Sequence, residues 1–191
     1  MATKDIIYTE DYLDELFEKR IIIINVEINE ETSAEWVGRI SLLELQGAKT
    51  KKPIIILINT FGGDPHCALS IADIIESCIC PTMTVCIGLA ISGGSIILAA
   101  GAKRYSTPHG NIMIHQQQMD MSPRNHTELV NETIASKVLY KQLEDYYMKV
   151  TKQTRPKIKK LLQKDSYLTA FEALEIGLID DIGWKINEWV K

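Results

Sequence analysis

The chain has 191 residues, 46% of them hydrophobic and 24% charged, with a net charge of −4. That length and apolar content suit one α/β domain over 1–191 with a single core, and they exclude a disordered chain. The acidic balance excludes a nucleic-acid partner held by bulk charge, and the apolar run 85–100, broken by Gly88, Ser92, Gly93, Gly94 and Ser95, is too short and interrupted to span a membrane.

The N-terminus lacks the basic and apolar regions of a signal peptide, so a cytoplasmic protein is expected. Apolar spacing predicts a short amphipathic helix over 11–19, with Tyr12, Leu13, Leu16 and Phe17 on one side. The β-branched run 20–26 reads as a strand covered on both faces. A helix follows over 30–46 through Trp36, Val37, Ile40 and Leu43, and Gly47 fits its end. The run 53–59 is a second buried strand, opened by Pro53 where no ladder donor is needed.

The next turn, Asn59-Thr60-Phe61-Gly62-Gly63-Asp64-Pro65, lies between that strand and a helix. Asp64 is a good N-cap and Pro65 a good first helical residue. Gly62 and Gly63 therefore sit at the carboxyl end of a strand, where open α/β sheets place ligands. A plain tight turn explains them equally, whereas neither common nucleotide-phosphate motif is present. The four cysteines, Cys67, Cys78, Cys80 and Cys86, lack zinc-site spacing and read as reduced core thiols; a redox role for Cys78 and Cys80 has no support in their setting.

A third strand begins at Met83 and leads into Ile91-Ser92-Gly93-Gly94-Ser95, followed by an apolar helix. A serine at such a turn has an exposed hydroxyl, free backbone N–H groups beside it, and the positive end of a helix dipole. Small residues before an apolar helix also occur for close packing alone, and both readings stand at this point. Strand–turn–helix units repeated three times argue for a largely parallel sheet with right-handed crossovers.

Short strands are predicted over 103–107 and 111–115, joined by the turn Pro108-His109-Gly110. His115 leaves an apolar strand at its carboxyl end, where a base is well placed; a satisfied structural histidine is the competing reading. His66, in the first turn of a helix beside Gly63, is the one serious rival, since His109 and His126 lie in polar settings. A long amphipathic helix over 126–150 suits a subunit contact, and a basic helix over 155–162 suits a solvated face. A short strand over 164–168 then leads to the capping box Thr169-Ala170-Phe171-Glu172 and a helix ending near Gly177. Asp165, between two helices, either faces a cleft or is a plain surface acid.

With Ser92, His115 and Asp165 in view, the chain resembles the Clp protease proteolytic subunits from about Tyr12 to Trp184. The resemblance rests on blocks in order: Lys19-Arg20-Ile21-Ile22, Ile58-Asn59-Thr60-Phe61-Gly62-Gly63, Gly88-Leu89-Ala90-Ile91-Ser92, Ala99-Ala100-Gly101, Ile112-Met113-Ile114-His115-Gln116 and Asp165-Ser166-Tyr167-Leu168-Thr169-Ala170. It implies a crotonase-like α/β fold of stacked ββα units and a serine endopeptidase. Ser92 would be the nucleophile, His115 the base, Asp165 the orienting carboxylate, and the N–H groups of Gly63 and Gly93 the oxyanion hole. It implies no cofactor and no metal. The implied partners are unfolded polypeptides or peptides, further copies of the chain in heptameric rings and tetradecamers, and an AAA+ unfoldase of the Clp type, with no nucleic acid and no membrane.

The resemblance also implies that residues 1–10 form a short axial segment and that about 116–150 form an inter-ring handle. Several positions depart from the family pattern. Gly93 stands where methionine is usual and Ser95 where alanine is usual, which loosens the turn. Gln117 replaces a proline, Lys164 replaces an arginine, and Met119, Asp120 and Pro123 occupy handle positions where glycines are common. Leu57 and Ser77 replace aromatics of the unfoldase-docking pocket, while Tyr105 keeps one. These departures define the alternative, a weakly active paralogue that acts mainly in assembly.

Overall fold

The computed structural model describes residues 10–117 and 125–184. Met119, Asp120, Pro123 and nearly all of the expected axial segment lie outside the described residues. In chain order the elements are α1 (Glu10–Glu18), β1 (Ile21–Ile24), α2 (Glu30–Gly47), β2 (Ile54–Thr60), α3 (Pro65–Ser77), β3 (Thr82–Ile91) and α4 (Gly93–Ala99). They continue with β4 (Lys103–Ser106), β5 (Asn111–Ile114), α5 (His126–Thr151), α6 (Arg155–Leu162), β6 (Ser166–Thr169), α7 (Ala170–Glu175) and β7 (Asp181–Ile182).

The strands form one sheet in the order β1-β2-β3-β4-β7, and each of these pairings is parallel. β3 is the axis of the molecule. Its first half, Met83–Cys86, pairs with Lys103–Ser106 of β4, and its second half, Leu89–Ile91, pairs with Asn111–Met113 of β5. The Pro108-His109-Gly110 turn therefore does not fold β5 back on β4; the two strands succeed one another along the same edge of β3. β6 then pairs antiparallel with β5.

Alternation along the apolar strands explains why they are buried on both faces. Ile22, Ile24, Ile54, Ile56 and Ile58 enter the main core with α2, α3 and α4, while Ile21, Ile55, Leu57, Met83 and Val85 form a second cluster on the other face. β1 is shorter than the apolar run predicts, because the chain leaves the ladder after Ile24. β3 is longer, since it runs through Gly88 to the serine. The Asn59 side chain accepts the Leu89 N–H at 3.0 Å, which bridges the register shift opposite Ile58 and Thr60. Gly47 closes α2 for reasons of space rather than conformation: a Cβ there would collide with the Arg20 guanidinium and the Cys80 sulfur.

The helix starts follow their capping signals. Asp64 accepts the Cys67 N–H at 2.8 Å ahead of Pro65, and capping boxes open α2, α5 and α7 at Asn29, Asn125 and Thr169. The C-terminal part is pinned by Arg104. Its Nη2 and Nε reach Asp180 at 2.6 and 3.1 Å, and its Nη1 reaches the carbonyls of Val150 and Gly177. Partial burial works to raise the Asp180 pKa, but the hydrogen bonds and charge of Arg104 prevail and hold it below the ordinary carboxylate value. A carboxylate depressed in this way contributes stability above its unfolded pKa near 4, and loses it as the pH falls through the folded value. Asp180→Asn is expected to lower Tm at neutral pH, with the difference from wild type shrinking as the pH drops below about 4. Thermal melts across pH check this; a difference that grows on acidification would contradict it.

Candidate active site

Sheet register assembles the site. Ser92 directly follows β3, and its N–H extends the β3–β5 ladder to the Met113 carbonyl at 2.9 Å. Its backbone is strained, with φ 52° and ψ −118°, and α4 starts at the next residue. A β-strand turning into a helix through such a residue lifts the side chain out of the sheet.

His115 directly follows β5, and the antiparallel pairing of Ile114 with Ser166 sets His115 across from Asp165. Two bonds fix this corner: Gln116 N–H to the Leu162 carbonyl at 2.8 Å, and Ser166 Oγ to the Leu161 carbonyl at 2.7 Å. The outcome is a continuous chain of side chains. Ser92 Oγ lies 2.8 Å from His115 Nε2, and His115 Nδ1 lies 2.9 Å from Asp165 Oδ1. The His115 side chain is 13% exposed and that of Asp165 58% exposed. Asp165 is therefore not a plain surface acid: although it is largely exposed, it faces the histidine and borders a cavity.

The Gly62-Gly63 turn lies against the serine turn. Ile28 N–H donates to the Gly62 carbonyl at 2.9 Å and Asp64 N–H to the Ile28 carbonyl at 2.7 Å, which hold the loop in place. Both glycines have positive φ, 94° and 149°. A Cβ on Gly62 would stand 2.5 Å from the Ile91 carbonyl oxygen and 2.9 Å from Gly93 N, so the two turns touch only because there is none. Gly93 opens α4, so its N–H has no intrahelical acceptor. Neither it nor the Gly63 N–H is taken up by a bond among the described residues. Two backbone donors are thus left free beside the serine hydroxyl.

Two cavities border the three side chains. One, of about 340 Å³, is lined by Ser92, His115 and Gly63 together with apolar residues that include Ile91, Ile96, Met113 and Leu143. The other, of about 680 Å³, extends past His115 and Asp165 towards Lys137, Tyr140 and Leu162. Gln117 borders both, and its amide donates to Ser136 O and Oγ at 2.8 and 2.7 Å. The apolar wall residues are not evident from sequence, where they read only as core. Exposed Phe61 also borders the smaller cavity.

The rival histidine, His66, lines a separate groove with Asp73 and Lys149 and is absent from the walls of the serine cavity. The four cysteines are unpaired. Burial pushes every one of these thiols up, Cys78 to about 11, which leaves little thiolate for redox chemistry at neutral pH. Among the described residues no group of three or more His, Cys, Asp or Glu side chains is arranged to hold a metal ion, and no helix is long and apolar enough to cross a membrane.

The family model for Clp protease matches residues 4–185. An ATP-dependent Clp protease proteolytic subunit 1 of Chlamydia muridarum is 32% identical over 186 residues, covering 94% of both chains. Its counterpart in Chlamydia pneumoniae is 31% identical over 195 residues, covering 98% of this chain and all of the relative. An ATP-dependent Clp protease proteolytic subunit of Chlorella vulgaris is 29% identical over 93% of this chain and 90% of its own. The fold agrees with these likenesses: a mixed α/β chain built on a mainly parallel sheet. The chain belongs to the Clp protease family, as a serine peptidase of the proteolytic-subunit kind.

Proposed function

We propose that Ser92 is the nucleophile, His115 the general base and acid, and Asp165 the carboxylate that orients the imidazole, with the N–H groups of Gly63 and Gly93 as the oxyanion hole. The observation that carries the reading is the unbroken Ser92–His115–Asp165 chain at 2.8 and 2.9 Å. A serine hydroxyl attacks poorly unless its proton is removed as the new bond forms. His115 Nε2 takes that proton while Asp165 accepts from the Nδ1–H and stabilises the imidazolium. The substrate carbonyl oxygen becomes negative and is met by the two backbone donors. His115 then returns the proton to the departing amine; in the second half-reaction it takes a proton from water as that water attacks the acyl ester, and gives it back to Ser92 Oγ as the acid product leaves. The apolar cavity beside Ser92 suits an apolar side chain next to the cleaved bond.

The substrates in this reading are unfolded polypeptides, cleaved inside a cytoplasmic chamber of stacked heptameric rings fed by an AAA+ unfoldase of the Clp type. One peptidase domain over 1–191 would supply each site, with 116–150 as the handle. The first half of α5 supports that role, because Leu129, Val130, Ile134 and Val138 stand exposed along it. The assembly-only alternative gains no support from a serine, histidine and aspartate at bonding distance. The test combines native mass measurement with turnover of a short fluorogenic peptide. A ring-sized assembly that cleaves the peptide is expected; an assembly of that size with no peptidase activity would overturn the proposal.

A further inference from the structure

Behind the serine turn lies a buried polar contact that the reaction described above does not use. Ser95 is fully buried in the first turn of α4, and Tyr147 is almost so on α5. Ser95 Oγ lies 2.7 Å from the Ser92 carbonyl oxygen and 2.7 Å from Tyr147 Oη, and the Ser95 N–H reaches the same carbonyl at 2.9 Å. Proton accounting fixes the direction of these bonds. A carbonyl can only accept, so the single Ser95 hydroxyl proton goes to Ser92 O, and Tyr147 must donate to Ser95 Oγ. The reverse order would leave the Tyr147 proton buried without an acceptor among the described residues. Burial also pushes the Tyr147 phenol far up, which keeps it a donor.

The carbonyl that receives this relay belongs to the Ser92–Gly93 peptide. That group is planar and trans, so its C=O and N–H point in opposite directions. Holding the oxygen from behind fixes where the Gly93 N–H points in front. A carbonyl engaged by donors also strengthens its own N–H as a donor, since hydrogen bonds in series polarise one another. The turn needs such a pin, because Ser92 is strained and Gly93 and Gly94 have no side chains to lock it.

We propose that Tyr147 and Ser95 are positioning residues that aim the Gly93 N–H at the developing oxyanion through the Ser92–Gly93 peptide. The inference rests on Ser92 being the nucleophile. Tyr147 also walls the apolar cavity, so the relay ties the α5 helix to the reacting end of the turn.

The test uses the assembled protein with Ser95→Ala, Tyr147→Phe and the double variant, with Ser92→Ala as reference. kcat for a fluorogenic peptide is expressed per site that a fluorophosphonate labels (per chain for Ser92→Ala, which lacks the labelled hydroxyl), so that loss of folded sites does not count as loss of rate. Each single variant is expected to lower kcat about tenfold, the order of one lost hydrogen bond. A peptidyl boronic acid, whose tetrahedral adduct occupies the same hole, should bind more weakly by a similar factor, while KM stays within about twofold. Because the two hydroxyls act in series, the double variant should be no worse than Ser95→Ala. Unchanged kcat per labelled site, or a rise in KM in place of the fall in kcat, would overturn the relay. Tyr147→Phe keeps the ring and decides the question alone if Ser95→Ala fails to assemble. Activity surviving in Ser92→Ala would instead overturn the nucleophile assignment beneath it.

Discussion

Ser92→Ala is expected to lower kcat for a short peptide by on the order of 10⁶, the size of loss that follows removal of a serine nucleophile acting with its base. The fold should not change with it. Among the described residues the Ser92 side chain makes one hydrogen bond, to His115, and it gives α4 no capping bond. Alanine at φ 52° is strained much as serine is, so the melting temperature should move little. The pairing of a near-total kinetic loss with an intact fold is the result to look for. Peptidase activity near wild type in Ser92→Ala would remove Ser92 from the chemistry.

Asp165→Asn carries the second largest effect, a fall of about 10⁴ in kcat. An aspartate accepts the Nδ1–H and leaves Nε2 as the lone pair that faces Ser92 Oγ. An asparagine amide in the same place can donate to Nδ1, which puts the ring proton on Nε2 and removes the base. Charge contributes as well, but the Asp165 side chain is 58% exposed and its field is therefore screened by water and salt. The exposed pair adds little to folding, about 0–1 kcal/mol, so thermal melts of wild type and variant should nearly coincide. Kinetics and melts on one preparation check both parts. A variant that loses its fold along with its activity would contradict a role confined to the histidine.

Much of this was legible in local pattern. β2 and β3 are largely apolar runs, Asp64-Pro65 and Thr169-Glu172 announce their helices, and Ser92 and His115 each directly follow an apolar strand. These signals lie within a few residues, where spacing and turn chemistry act. Asp165 was different. Its own neighbours left it between cleft and surface, and the resemblance alone gave it a role, because it meets His115 only through the β5–β6 register fifty residues away.

Other features were hidden for the same reason. β7 is two residues long and exists only as an added edge to β4. Tyr147 reads as one more apolar position on a long helix, and nothing near it in sequence points to Ser95. The expectation that Gly93 and Ser95 loosen the turn also meets a counterweight: the Ser95 hydroxyl and N–H both hold the Ser92 carbonyl.

The central claim is that Ser92, through His115, is the reacting group. Labelling the native protein with a fluorophosphonate, digesting it and locating the adduct by mass spectrometry tests that most directly. The adduct is expected on Ser92, close to one per chain, and absent from a preparation carrying His115→Ala, whose serine lacks its base. An adduct on another serine, or labelling of Ser92 that is undiminished without His115, would contradict the account.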